Sequence, residues 1–434
     1  MTASSRAKVR AGRAAAWLLG RRGTGDQTHW RPGATAAYLY TNHGRLMPLT
    51  SPFNYDFAAP RRIVFGWGRR AELSELAVRL GSQTLVVWGS RTIADSGVGD
   101  ALRESLAKAG LQPVDLCTIA GEPSVADVDR AVEGAATLPL RQTVVVAVGG
   151  GSAIDLAKAV AALAAQDERR SIVDYLESVG QGAQLARPSL PLIAMPTTAG
   201  TGSEAQTYAL ISDAETHVKM ACGDAQAAFK VAILDPRLTL TQPNHVTATA
   251  GYDAIAHAVE SFVTAKRTPM SDVFAREAWR LLASNYERVL AEPQDIMARG
   301  AMLLGSHYAG AAIENSMLGA THACANPLTA RYGTAHGVAI AVMLPHVVRW
   351  NAGSVGARYT ELAQVIGLAS AEQLAERLAQ LARAGGLPQS LRSLDVPKAD
   401  LSTLAEAASK QWTGTFNPRP FSAASAEELY TWAY

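Results

Sequence analysis

Between residues 84 and 164 two kinds of apolar pattern take turns. TLVVW (84–88) and TVVVAV (143–148) are unbroken runs of apolar and β-branched residues, as expected of strands buried on both faces. AELSELAVRLG, just upstream, and DALRESLAKAG, VDRAVEGAATL and AIDLAKAVAALAA repeat their apolar positions at helical spacing. Strand and helix in alternation predict a parallel sheet covered on both sides. FNYDFAAPRRIVFGWG alternates and carries Gly66 and Gly68, which predicts two short strands. After ILDPRLTLTQP the pattern changes, with Pro236 and Pro243 bracketing the switch. From Thr247 onward, segments such as DVFAREAWRLLASNYERVL, DIMARGAMLLGSHYAGAAI and AEQLAERLAQLARAGG are helical in period with almost no alternation. The predicted architecture is an α/β N-terminal domain with a Rossmann-like parallel sheet over residues 47–239, followed by an all-helical domain over 240–434.

Residues 1–46 stand apart. They are rich in Arg, Ala and Gly, show no sustained period, and hold eight Arg or Lys against Asp26 alone. The short apolar stretch AAAWLLG lacks a small-residue cleavage site after it, so a secretory signal is not expected. A transit peptide and a translation start read ahead of Met47 fit equally well, and the segment is expected to lie outside the fold. The remaining chain carries 32 basic and 37 acidic residues, which leaves no basic patch for nucleic acid. With 48% hydrophobic and 18% charged residues, and no apolar run near bilayer length, the expectation is a cytoplasmic protein with no membrane partner. Cys117, Cys222 and Cys324 are odd in number and widely spaced, which argues against disulfides and for a reducing compartment.

Chemistry gathers between Gly251 and His336. In GYDAIAHAVESF, Asp253 and His257 stand four apart in a helical pattern and so share a face. His322 and His336 follow in THACANPLTARYGTAHGVAIAVMLPH, where Pro327 and Gly333 are expected to end one helix and begin another. One carboxylate and neutral imidazoles suit a borderline divalent ion, Fe(II) or Zn(II). A D-x-x-x-H pair by itself is more often a surface or core pair than a metal site. His346 reads as a structural histidine at a helix end, and Trp279, Met302, His307 and Tyr308 as core or cleft wall. Two further stretches follow strands. VVVAVGGGSAIDLAKAV sets Gly149, Gly150, Gly151 and Ser152 at a helix start, where free N–H groups favour a diphosphate, although a tight βα connection reads the same way. LPLIAMPTTAGTGSEA presents Thr197, Thr198 and Thr201, which fit a nucleotide crevice or a flexible polar loop.

Together these motifs resemble the iron-containing (group III) alcohol dehydrogenase family. GYDAIAHAVE matches its G-x-D-A-x-x-H-A-x-E segment, and HACANPLTARYGTAHGVAIAVMLPH its later histidine segment. The glycine stretch matches G-G-G-S-x-x-D-x-A-K, and TTAGTGSE matches T-T-x-G-T-G-S-E. The resemblance spans nearly all of residues 47–434. It implies that Asp253, His257, His322 and His336 bind a catalytic metal, Fe(II) with Zn(II) as the alternative. It also implies that Gly149, Gly150, Gly151, Ser152, Asp155, Thr197, Thr198 and Thr201 contact NAD(P), with Lys219 near its ribose. The family commonly places another histidine four residues after the first of the late pair; this chain has Asn326, which hydrogen-bonds but does not exchange a proton near neutral pH.

The reaction so implied is hydride exchange between an alcohol or aldehyde and the nicotinamide, with the metal lowering the alcohol's pKa. The expected assembly is a homodimer. A dehydroquinate-synthase-like or glycerol-dehydrogenase-like enzyme of the same plan, or a nucleotide-binding regulator without activity, are the rivals. Cofactor choice turns on WGSRT, where Ser90 aligns with the family's discriminating position; with no carboxylate there and Arg91 beside it, NADP(H) is expected to serve at least as well as NAD(H).

Overall fold

The computed structural model describes residues 55–434 apart from 120, 169, 177–179, 181–182 and 214–218. It also gives the backbone of an antiparallel pair, β1 (Tyr38–Tyr40) with β2 (Leu46–Pro48), in a unit comprising residues 1–50. The other calls made for residues 1–46 lie outside the described residues, as do the side chains of Arg91 and Thr92.

Six strands form one parallel sheet: β3 (Ile63–Phe65), β4 (Gln83–Trp88), β5 (Gln112–Thr118), β6 (Thr143–Gly149), β7 (Leu192–Pro196) and, after a hairpin of β8 (Tyr208–Ser212) with β9 (Lys219–Gly223), β10 (Val231–Leu234). Their spatial order is β3-β10-β7-β6-β4-β5. Side chains of a strand alternate between faces, and here both faces are buried: Leu85, Val87, Val145 and Ala147 enter one core, while Val86, Trp88, Val144, Val146 and Val148 enter the other. The helices α1 (Leu73–Val78), α2 (Arg91–Ala94), α3 (Gly97–Lys108), α4 (Val125–Ala135) and α5 (Gly151–Ala164) connect these strands. From β4 the chain runs outward to β5 and then crosses back to β6, so the order reverses between β4 and β6 and opens a crevice at their carboxyl ends.

Residues 55–60 form no regular element, so among the described residues only one of the two strands predicted in FNYDFAAPRRIVFGWG is present. The β8–β9 hairpin was not foreseen. It covers the outer side of α5, a helix buried from Ala153 to Leu163, and an all-round apolar helix needs such a cover.

Every helix from Asn244 on belongs to the helical part: α6 (Asn244–Ser261), α7 (Pro269–Ala291), α8 (Ile296–Glu314), α9 (Ala320–Tyr332), α10 (His336–Val365, kinked at Val355), α11 (Ala371–Ala384), α12 (Leu401–Ser409) and α13 (Ala423–Trp432). α10 is long and apolar enough to cross a membrane, contrary to the sequence expectation, but 61% of its most apolar window is buried inside the protein. It is a core helix here. Pro327 lies inside α9 instead of ending it, and the hydroxyl of Tyr430 donates to the neighbouring Cys324 carbonyl at 2.7 Å; Gly333, in the left-handed region, ends the helix. His346 likewise sits within α10, not at its end.

The two halves are riveted along residues 197–207. Gly202, at φ +60°, lies so close to α8 that a Cβ there would be 2.6 Å from the Ser306 carbonyl oxygen, and a Cβ on Gly310 would be 2.3 Å from that of Gly202. Buried Glu204 meets His307 Nδ1 at 3.0 Å, and Glu314 accepts from the Thr207 amide at 3.0 Å. Gly202→Ala combines a strained φ with a backbone overlap; it is expected to destabilise the protein by about 2 kcal/mol or more, read as a fall of several degrees in melting temperature. Gly134→Ala, on a part-open face, is the control.

Candidate active site

α6 is an alanine-rich, almost wholly buried helix, and its sequence sets Asp253, His257 and Glu260 on one stripe at spacings of four and three. α9 contributes His322, and His336 opens α10. The start of α10 lies against α6, since a Cβ at Gly337 would be 2.2 Å from the Thr249 carbonyl oxygen. The four predicted residues therefore converge. Asp253 Oδ1 is 3.4 Å from His257 Nε2, 3.5 Å from His322 Nε2 and 3.7 Å from His336 Nε2. Asp253, His322 and His336 offer donors all within 4.8 Å of one another; His257 falls outside that set, although its Nε2 is 3.4 Å from Asp253 Oδ1.

These distances are long for hydrogen bonds and right for co-ligands: two donors of a tetrahedral ion at ~2.1 Å lie about 3.4 Å apart. Asp253 Oδ1 and His322 Nε2 are buried with no hydrogen-bond partner among the described residues, although burying such groups unpaired is costly. Glu260 adds a second buried carboxylate. Two buried negative charges among imidazoles call for a cation, and three imidazoles with one carboxylate suit a borderline divalent ion. The site fits a metal.

Burial pushes His257 down to about 4 and His336 well below its usual value, the latter helped by the nearby Lys219 ammonium. Both are thus neutral, ligand-ready imidazoles at pH 7. His322 differs: burial opposes its charge, but the carboxylates of Asp253 and Glu260 hold it up at about 9. Burial likewise opposes ionisation of Asp253, yet the three imidazoles keep its carboxyl well below the usual range.

Glu260 was not singled out from sequence. It accepts from His322 Nδ1 at 2.5 Å and from the Thr321 amide at 2.7 Å, which fixes the ring and turns Nε2 toward Asp253. The available signal was a carboxylate on the same helix face as Asp253 and His257. His307, as expected, is not near this set and is spent on Glu204. Asn326, one turn beyond His322, donates from Nδ2 to Gln411 Oε1 at 2.9 Å.

The other predicted residues gather at the crevice between β4 and β6. A Cβ on Gly149 would be 2.6 Å from Gly89 Cα, and one on Gly151 would be 2.7 Å from Thr201 Oγ1, so neighbouring backbone and a threonine side chain fill the places where side chains would stand. Thr198 approaches Gly150 in the same way, and the Thr197 amide donates to the Gly149 carbonyl at 2.9 Å. Gly150 caps α5 without a side chain, which leaves the first-turn N–H groups of Gly151 and Ser152 facing outward for an anion. Asp155 departs from expectation. Its carboxylate takes Lys158 at 3.1 Å, the Ser203 hydroxyl and the Leu210 amide at 3.2 Å, so it ties α5 to the 197–207 loop and to β8 instead of facing a ligand. Ser90 Oγ accepts from the Ile93 amide at 3.3 Å and starts α2. Lys219 pairs with Glu122 at 2.6 Å, on the side of the cleft from which its charge reaches His336.

Comparison with known proteins bears on the whole arrangement. Residues 60–236 match the sequence profile of iron-containing alcohol dehydrogenases, and 247–434 match that of the C-terminal part of the Fe-containing alcohol dehydrogenase family. The chain is 33% identical to long-chain-alcohol dehydrogenase 1 of Geobacillus thermodenitrificans over 364 residues, covering 81% of this chain and 90% of that one. It is 32% identical to 1,3-propanediol dehydrogenase of Klebsiella pneumoniae, covering 84% and 95%. Among solved structures, an alcohol dehydrogenase from Oenococcus oeni superposes with a TM-score of 0.81 at 29% identity, covering 88% of this chain and 100% of that one. Sulfoacetaldehyde reductase from Bifidobacterium kashiwanohense, in complex with NAD+, gives 0.80 at 29%, covering 88% and 99%.

Glu260 is expected to act through His322. Glu260→Gln keeps the shape but weakens the pull on Nδ1–H, and Glu260→Ala removes it; metal affinity should fall in that order, by about 10- to 100-fold for alanine. Competition with a chelating dye reads it directly, and equal affinity in both variants would contradict the role.

Proposed function

The chain belongs to the iron-containing alcohol dehydrogenase family and exchanges hydride between an alcohol or aldehyde and a nicotinamide cofactor; from that premise we propose that Asp253, His257, His322 and His336 hold its metal, that the metal is Fe(II), and that NADP(H) serves at least as well as NAD(H). The observation that supports the metal reading is the unpartnered Asp253 Oδ1 with three imidazole nitrogens at 3.4 to 3.7 Å. Zn(II) satisfies the same donors.

A bound ion supplies Lewis acidity to the alcohol oxygen, and the cofactor supplies the hydride acceptor. The residues do the rest. Glu260 keeps the Nε2 lone pair of His322 in place by accepting the proton on Nδ1. Gly151 and Ser152 offer N–H groups to the diphosphate, and the Thr198 and Thr201 side chains, packed on Gly150 and Gly151, fix that loop against the helix. Asn326 orients by hydrogen bonding but moves no proton near pH 7, so the alcohol's proton leaves through water or a cofactor hydroxyl. The reading also takes the protein as cytoplasmic and homodimeric. Three cysteines outside any disulfide support the first, and the exposed Ile63 and Trp67 on edge strand β3 and just after it support the second.

Metal analysis combined with alcohol-dependent cofactor reduction tests the assignment. His257→Ala and His336→Ala should each take metal content from about one ion per chain to near none and abolish turnover while the fold persists, because each removes one of the four donors gathered around Asp253 Oδ1. Variants that keep both metal and turnover would refute it.

For the cofactor, Ser90→Asp is the sharper probe, since aspartate caps a helix as well as serine and should leave α2 intact. The parent should show comparable kcat/KM for the two cofactors, and the variant should prefer NAD(H) by about tenfold or more through repulsion of a 2′-phosphate. A parent that strongly prefers NAD(H) would contradict this part.

A further inference from the structure

α9 carries His322 and, one turn later on the same face, Asn326, whose amide reaches Gln411. Gln411 is followed directly by Trp412, the first residue of a short 3-10 turn. The Trp412 ring stacks on Tyr208 with centroids 6.5 Å apart and planes at 23°. Tyr208 follows Thr207, the end of the loop that began beside the glycine stretch and is held to α8 by Glu314. One ring thus comes from the helical half, one hydrogen bond and one helical turn from the metal cluster, and the other comes from the α/β half. The stack joins the two halves.

Both rings are backed. Tyr208 lies over its β9 partner Gly223, where a Cβ would be 2.4 Å from the ring, and Trp412 meets Phe416 edge-on at 5.9 Å. Trp412 is nevertheless 38% exposed, so the contact is a latch at the rim and not part of the core. From the cluster outward the described lining passes from the amides of Asn326 and Gln411 to aromatic faces, and the nearby Lys266 ammonium is spent over the Phe416 ring at 5.6 Å.

We propose that Trp412, closed against Tyr208, is the specificity-determining gate of the substrate cleft and admits slender, uncharged primary alcohols and their aldehydes while excluding branched or cyclic ones. The proposal rests on the alcohol being anchored at the Asp253 cluster. Amides one turn from the anchor can hydrogen-bond a neutral substrate, and flat rings in contact leave width for an unbranched chain alone. The Lys266 ammonium, already held over the Phe416 ring, is not free to pair with a carboxylate or sulfonate.

The test compares kcat/KM for cyclohexylmethanol with that for 1-butanol in the parent, Trp412→Ala, Tyr208→Ala and Trp412→Phe. The ratio should rise at least about tenfold in either alanine variant, no further in the double variant, and return toward the parent in Trp412→Phe. A purely structural loss lowers both substrates together and leaves the ratio unchanged. Tryptophan emission, titrated with 1-butanol without cofactor, should change in the parent and lose that change in Trp412→Phe. An unchanged ratio in both alanine variants, or an emission change that persists in full without the indole, overturns the gate. If the parent oxidised none of these alcohols, the reading of the reaction would fall while the emission titration still decided the gate.

Discussion

A single run of backbone, residues 197–207, is pressed between the start of α5 and the side of α8, and the rest of the site depends on that contact. On one side Thr198 and Thr201 occupy the space that side chains on Gly150 and Gly151 would need. On the other, Gly202 and Gly310 touch backbone to backbone. With short threonine side chains packed tightly on one side and bare backbone on the other, the separation of diphosphate loop and helical half has little room to vary. Hydride transfer demands such control, because misplacement by about 1 Å can cost two orders of magnitude in rate. Glu204 with His307 and Thr207 with Glu314 add direction to the contact, since buried polar groups tolerate one pairing and no sliding.

The metal cluster is held by the same economy of alternatives. α6 places a carboxylate, an imidazole and a second carboxylate along one buried stripe, and the carbonyl of Phe262, just past its end, accepts at 2.6 Å from the Arg358 guanidinium, which lies 3.8 Å over the Phe262 ring. α9 has no side-chain cap of its own. Its first amides are satisfied from a distance, Ala320 by Asn417 at 3.2 Å and Thr321 by Glu260 at 2.7 Å, so the helix bearing His322 is fixed by residues far along the chain. Glu260 therefore serves two ends at once, capping α9 and orienting the imidazole two residues into it.

Sequence periodicity sufficed where an element's own residues decide its state. TVVVAVG is buried throughout and can only be a central strand, and the D-x-x-x-H spacing becomes a shared face as soon as α6 forms. It failed where a distant partner decides. Asp155 sits in a motif that the resemblance assigns to the cofactor, yet Lys158, Ser203 and the Leu210 amide claim its carboxylate, and two of those partners lie more than forty residues away. Pro327 reads as a helix end but is accommodated within α9, where helices on either side outweigh a missing hydrogen bond. The β8–β9 hairpin is short and mixed in polarity, and only the all-round apolar character of α5 signalled that something covers it.

The magnitudes also separate what this site can change from what it cannot. Removing a partner from the Asp253 and Glu260 set leaves a buried charge uncompensated, at a cost of about 3–5 kcal/mol, a large share of a typical folding free energy. The Tyr208–Trp412 stack at the partly exposed rim is worth about 0.5–1.5 kcal/mol beyond its buried area, and the Asn326–Gln411 hydrogen bond is of similar size. Substitutions at the rim therefore cost the fold little, while those at the cluster take up much of its margin without necessarily unfolding it. Chemistry is locked into buried backbone and charge, and substrate width is left to side chains whose replacement the fold survives. Asn326 belongs to the second group although it stands one turn from His322: its amide donates to the Gln411 side chain, so a change there alters the link to the rim without exposing a buried charge.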